Sequence, residues 1–440
     1  MAFEDRVSIN RSGSKLPVLV HDSTGQEPVT VAAKRRGTLK PLDDPSAIVK
    51  DRSERMEKKK PKLPAVLDKV WKVPHPMDLL PSEEPIQLLT PDGELQENKD
   101  YPLDLSDEDF RSLYRYLILT RRIDKEGINL QRQGQLGIYT SCLGQEGAQV
   151  GSAYALGRED WIFPSYREHG VARVREVDPV RLFHHSRGTW ISDHDPREWR
   201  FAPQTVPIAT HLVHAAGLAM AAKFDGDPIV VIAYFGDGAN SEGDAHEGMN
   251  FASIFGAPLI FFCQNNGWAL SVPVERQISA PTIAHRGISY GMPGVRIDGN
   301  DVLASYAVTK KLVERARNGG GPALIEALTY RMEAHSTADD PTRYVPQEEH
   351  DQWASQDPIS RFETFMKDRE LLNSELVDGV EKEALEMSTR VRNELYDAPH
   401  GDPLEVFDHV YVDPPRHFER QREQLRGEIE RLRATDGEED

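Results

Sequence analysis

A carboxylate stands where a phosphate-binding loop would exclude one. In "YFGDGANSEGDAHEGMN" (234–250), Gly236 and Gly238 follow the apolar run 228–233, yet Asp237 lies between them. Glycines after a buried strand let backbone approach a phosphate, but the dinucleotide fingerprint does not fit, because the third glycine is Gly243. A P-loop does not fit either, since no Gly-Lys-Ser/Thr ending follows. A carboxylate tolerates a diphosphate beside it only across a cation, and Mg²⁺ bridges carboxylate and phosphate oxygens. A second oxygen donor, Asn266 in "QNNGWALS", comes 29 positions later, directly after the apolar run "APLIFFC". Gly267 lets the chain bend so that a carbonyl near Trp268 faces the same ion. "GDG" and "NNG" are each ordinary turns; together at this spacing, each behind a buried strand, they point to a metal–diphosphate site.

Such a site needs two neighbouring strands ending at one edge. The segment from about Ser241 to Phe255 has helix length and joins the two apolar runs as one βαβ crossover, so Asp237 and Asn266 fall at strand carboxyl ends, where open α/β sheets bind ligands. From Ser106 to about residue 345, helical patterns alternate with short strand-like runs ("PIVVIAYF", "APLIFFC", "GVRIDG", "PALIEALTYR"). This predicts an α/β fold with a doubly wound, mostly parallel sheet. Order is expected to begin at Ser106, a helix cap with Asp109 three residues on, followed by Phe110, Leu113, Tyr114, Leu117 and Ile118 at helical spacing. Residues 1–104 carry basic clusters and many prolines and read as an irregular N-terminal arm, with Trp71 and Leu79 as possible anchors. Residues 105–415 form the domain, and 416–440 a charged C-terminal helix and acidic tail.

Bulk properties narrow the class. The chain has 440 residues, 38% hydrophobic, and a formal net charge of −19, so it can build a large core and lacks the basic footprint of a nucleic-acid surface. No apolar run approaches a membrane span. Cys142 and Cys263 make neither a zinc spacing nor a disulfide framework, and "MAFEDRVSIN" lacks a signal core, so a cytoplasmic protein is expected.

G-D-G followed by N-N just under thirty residues on resembles the thiamine-diphosphate fingerprint. Most of residues 105–415 is similar to the alpha subunit of 2-oxo acid dehydrogenase decarboxylase components, above all the branched-chain (2-oxoisovalerate) group. The stretches that carry this are "FPSYREHGV" (163–171), "YFGDGANSEGDAHEGMNFA" (234–252), "FFCQNNGWALSVP" (261–273), "RIDGNDVLASY" (296–306) and "YRMEAHSTADDPTRY" (330–344).

The resemblance implies the thiamine-diphosphate-binding fold and assigns roles. Asp237 and Asn266 would give side-chain oxygens to Mg²⁺ and Trp268 its carbonyl; the family usually has Tyr at 268. Gly238 and Ala239 would let backbone approach the diphosphate, and Tyr166 and Arg167 would contact the cofactor, the guanidinium through bidentate hydrogen bonds. Val206 and Ile208 would flank the aminopyrimidine. A monovalent cation such as K⁺ would take Thr205, Pro207, Thr210 and His211, with His211 in place of an amide. His335 would be the active-site histidine, staying protonated against phosphate or handling protons, with Arg331 bracing its loop. Ala334 replaces a frequent second histidine, and Gln264 stands where branched-chain relatives can carry a phosphate-binding Arg. Ser336 matches a serine phosphorylated in some relatives, although a hydroxyl that holds the loop is the simpler reading.

The implied reaction is oxidative decarboxylation of a 2-oxo acid with acyl transfer to lipoyl-lysine of an acyltransferase core; pyruvate or acetoin are the alternative substrates. No glutamate in the chain stands out to activate the cofactor. In the family it comes from a beta subunit in an alpha2-beta2 assembly, so this chain alone is expected to be inactive.

Overall fold

The computed structural model describes residues 79–82, 84–188, 194–398, 402–408 and 410–436. The expected arm up to residue 78, its Trp71 anchor and the acidic tail after residue 436 lie outside the described residues.

Five strands form one parallel sheet: β1 Trp161–Phe163, β2 Val231–Gly236, β3 Leu259–Asn265, β6 Gly294–Asp298 and β7 Ala323–Leu328, in the order β1-β2-β3-β7-β6. Between β3 and β6, a two-stranded antiparallel hairpin pairs β4 (Trp268–Ala269) with β5 (Val272–Pro273). The four longer apolar runs of the sequence become β2, β3, β6 and β7. Strand β1, only three residues long, is too short for a period-2 signal and was not foreseen.

Counting helices of six residues or more, the described chain has α1 Asp107–Arg132, α2 Glu146–Tyr154, α3 His169–Val174, α4 Pro179–Arg187, α5 Thr210–Asp225, α6 Gly243–Phe255 and α7 Val302–Arg315. Then follow α8 Gln347–Ala354, α9 Pro358–Asp368, α10 Ser374–Asp397 and α11 Arg416–Asp436. Helix α1 starts as its sequence predicts: Ser106 and Asp109 form a reciprocal capping box, and Phe110, Leu113, Tyr114, Leu117 and Ile118 are buried.

Alternation along the strands sends side chains to two cores. Val231, Ala233, Phe235, Leu259, Phe261 and Cys263 pack with α5 and α6 on one face. Ile232, Tyr234, Ile260, Phe262 and Ile325 pack with Val308 and Leu312 of α7 on the other. The sheet is therefore doubly wound, with strands apolar on both sides, as buried parallel strands are.

Order begins earlier than Ser106, which corrects the expectation from the sequence. Ile86 bridges in parallel to Ile297 at the β6 edge, donating its N–H to the Arg296 carbonyl and accepting from the Asp298 N–H at 2.9 and 3.0 Å. Two residues on, the amides of Leu88 and Leu89 both donate to Asp301 Oδ2 at 2.6 Å, and both side chains are buried. Gln87 Nε2 donates to Asp298 Oδ2 at 2.7 Å, and Arg361 holds the same carboxylate. A short extended strap whose amides are met by one carboxylate needs no periodic pattern, so proline-rich composition hid it.

Candidate active site

Asp237 follows the last residue of β2, and Asn266 follows the last residue of β3, whose Gln264 pairs with Gly236. Both side chains line one cavity of about 280 Å³ with Gly238, Ala239, Trp268, Tyr166, Arg167, Ile208 and His335. Gly267 has φ 81° and turns the chain from β3 into the hairpin. The hairpin lies so close to the Asp237 turn that a Cβ on Gly238 would sit 2.7 Å from Ala269 Cβ, so only glycine fits there.

Asp237 is 2% exposed. Its donors are Gln277 Nε2, at 2.8 Å, and the Asn266 amide, and burial pushes its carboxyl up. It forms no salt bridge among the described residues, and the Arg331 charge, which acts on it only through space, does not offset its burial. Asn266 Oδ1 accepts the Trp268 amide at 3.2 Å, and the Trp268 carbonyl lies 3.5 Å from Arg331 Nη1. No group of three or more His, Cys, Asp and Glu among the described residues could hold a metal. An ion here would instead take one carboxylate, one amide oxygen and one carbonyl, with phosphate oxygens completing the shell. That hard-oxygen donor set, around a buried carboxylate with no salt-bridge partner among the described residues, fits Mg²⁺ on a diphosphate. The Trp268 side chain faces the following loop: Nε1 donates to Glu349 at 2.8 Å and the ring packs on Tyr344 at 5.6 Å.

His335 sits on the loop after β7. Burial, then Arg167 and Arg331, lower its pKa to about 4. Arg331 Nη1 lies 3.3 Å from His335 Nδ1 and can only donate, so Nδ1 accepts and Nε2 carries the proton. Arg331 also donates to the Glu333 carbonyl, bracing the loop as expected. Arg167 is buried, but two of its donors hold the carbonyls of Ser141 and His335. The bidentate fork expected from the sequence is thus partly spent on joining two loops, and its ring neighbour Tyr166 meets His335 edge-on at 6.2 Å. Ser336 Oγ accepts the Ala338 amide at 3.4 Å, a loop contact.

Other expectations divide. Ile208 lines the cavity and is 44% exposed. Val206 does not line it: the Thr205 amide is held by the Ser165 carbonyl, and the Val206 side chain is left outside, 53% exposed. Thr205 and Thr210 hydroxyls bond to the Pro203 carbonyl and Asp244. His211 offers no oxygen to a cation: Nε2 donates to the Tyr234 carbonyl at 2.6 Å, and burial lowers its pKa to about 4.

Sequence reasoning missed Gln145, Glu168 and Gln277 as lining or supporting residues. Gln145 had no signal. Glu168 sits beside the Tyr-Arg pair of "SYREHG", but its spacing alone gives no sign of the residues it meets in the fold.

The family model "Dehydrogenase E1 component" matches residues 114–401. A "3-methyl-2-oxobutanoate dehydrogenase subunit alpha" from Mycobacterium tuberculosis is 49% identical over 348 residues, covering 79% of this chain and 95% of the relative. A "Pyruvate dehydrogenase E1 component subunit alpha" from Bacillus cereus is 38% identical, covering 77% and 92%. A "2-oxoisovalerate dehydrogenase subunit alpha" from Bacillus subtilis is 35% identical, covering 72% and 99%.

Proposed function

This chain belongs to the dehydrogenase E1 component family, and from that premise we propose that it is the alpha subunit of a branched-chain 2-oxo acid decarboxylase using thiamine diphosphate and Mg²⁺. The reaction is oxidative decarboxylation of 3-methyl-2-oxobutanoate-type acids, with acyl transfer to lipoyl-lysine of an acyltransferase partner. The observation that supports this reading is that Asp237, Asn266 and Trp268 line one cavity, the first two directly behind adjacent strands.

When bound, the cofactor supplies an electron sink for the decarboxylation. The chain's residues do the rest. Asp237, Asn266 and the Trp268 carbonyl would hold the ion, and backbone at Gly238 and Ala239 would let the diphosphate come close. Arg167 and Arg331 add two positive charges to the wall, offsetting phosphate charge. His335, held neutral near pH 7 in the ligand-free chain, has its Nδ1 occupied by Arg331, so Nε2 is the nitrogen that would exchange a proton with an oxygen in the cavity. Ile208, on the cavity wall, would support the apolar end of the cofactor. The activating carboxylate comes from a beta subunit in an alpha2-beta2 assembly that closes the exposed rim.

The test is calorimetry of the co-expressed subunit pair with thiamine diphosphate and Mg²⁺; tight, metal-dependent binding is expected, and its absence sinks the proposal. A pyruvate-specific enzyme is the second reading, favoured by Gln264 in place of an arginine and by the pyruvate-named relative. The ratio of turnover on 3-methyl-2-oxobutanoate and pyruvate, with the partner present, separates the two.

A further inference from the structure

One carboxyl group in the cavity wall has no part in the scheme above. Glu168 is 1% exposed, and every hydrogen-bonding neighbour donates to it: Ser165 Oγ at 2.9 and 3.1 Å, the Arg167 amide at 3.2 Å and Gln264 Nε2 at 2.7 Å. A carboxylate only accepts, so it fixes which end of Gln264 faces it. A second constraint agrees. The Gly170 N–H, which can only donate, lies 2.8 Å from Gln149 Oε1, so the Gln149 amino group faces Gln264 Oε1, at 2.9 Å.

Gln264 is thereby oriented from both ends, and the order propagates. Gln145 Nε2 donates to Gln264 Oε1 at 3.3 Å, which turns Gln145 Oε1 toward Asn266. Asn266 Nδ2 donates to that oxygen at 2.9 Å, leaving its own Oδ1 with one lone pair on the Trp268 amide and one free. All these side chains are buried.

We propose that Glu168 is a positioning residue for the metal site: its carboxylate orders the amide chain Gln264–Gln145–Asn266 so that Asn266 meets a divalent cation with its oxygen. The inference rests on the metal–diphosphate reading of the cavity. Reversing the chain would set Asn266 Nδ2 against the Trp268 N–H, donor to donor, and point its other N–H at the cation. It also gives Gln264 a purpose, since a cationic side chain there has no acceptor for Gln149 and Gln145 and could not relay the order. Outer groups that orient metal ligands are worth about ten- to a hundredfold in metal affinity.

The experiment titrates Mg²⁺ calorimetrically, and Mn²⁺ by electron paramagnetic resonance, into the co-expressed pair with saturating thiamine diphosphate. Glu168→Gln, whose amide can reverse, should raise the half-saturating metal concentration about ten- to a hundredfold while the ligand-free melting temperature holds. Glu168→Asp keeps an acceptor and should recover most of that loss. Gln145→Met cuts the chain without touching Glu168 and gives an independent loss should Glu168→Gln not fold. Wild-type metal affinity in folded Glu168→Gln or Gln145→Met overturns the proposal, as does a folded Glu168→Asp no better than Glu168→Gln. If the wild-type pair binds no metal with the cofactor, the reading of the cavity itself fails, and the relay with it.

Discussion

At the scale of single residues, the cavity combines a carboxylate that wants a cation with a histidine that refuses a proton. Asp237→Ala removes the only side-chain anion proposed as a metal ligand, and we expect Mg²⁺-dependent cofactor binding to weaken by more than about a hundredfold, beyond the usual loss for an outer-sphere change; calorimetry reads it directly. His335 should stay neutral on NMR titration of the ligand-free chain until pH approaches 4, and Arg331→Met should move that midpoint up, because a neighbouring positive charge is gone. His211 carries a stability consequence. Its folded pKa, about 4, is below the ordinary 6.5, so the unfolded chain takes up the proton first. The contribution is complete above pH 6.5 and lost as pH falls toward 4, and His211→Gln should flatten that part of the denaturation profile. Asp237 and Asn266 could be read from the sequence because both sit directly behind recognisable strands. Glu168 and Gln145 could not, because the chain joining them to Asn266 exists only after α2, the loop before α3 and β3 have been brought together.

At the scale of elements, the sheet is what makes the site. Phe262, fully buried in the middle of β3, packs on Tyr234 with ring centroids 5.1 Å apart. Phe262→Ala should cost about 3–5 kcal/mol in chemical denaturation. The four longer strands were legible because parallel strands buried on both faces are continuous apolar runs, and α1 because its cap and its stripe coincide. The hairpin β4–β5 was foreseen only as a bend at Gly267, since two-residue strands leave no pattern. What decided the order β1-β2-β3-β7-β6 is tertiary, and composition carries no trace of it.

At the scale of the whole molecule, the chain presents apolar side chains where a soluble surface would be polar. Val206, Ile208, Leu270 and Val272, near or on the cavity's rim loops, are 53%, 44%, 46% and 43% exposed. Ile208 and Leu270 also line the cavity, so its mouth is in part apolar and open. We expect the purified chain alone to give no turnover with thiamine diphosphate, Mg²⁺ and a dye acceptor, and the beta subunit to restore it; robust turnover without the partner would refute the division of the site. The strap at 86–89 bears on a different hazard. By bridging Ile297 it occupies the outer hydrogen-bonding positions of β6, which would otherwise stand as a bare template for strands of other molecules. Trimming the protein to begin after Leu89 would also strip two amides from the buried Asp301. The shortened protein should then join edge to edge through β6 into larger aggregates, and the safe starting point for any trimmed version lies upstream of Ile86.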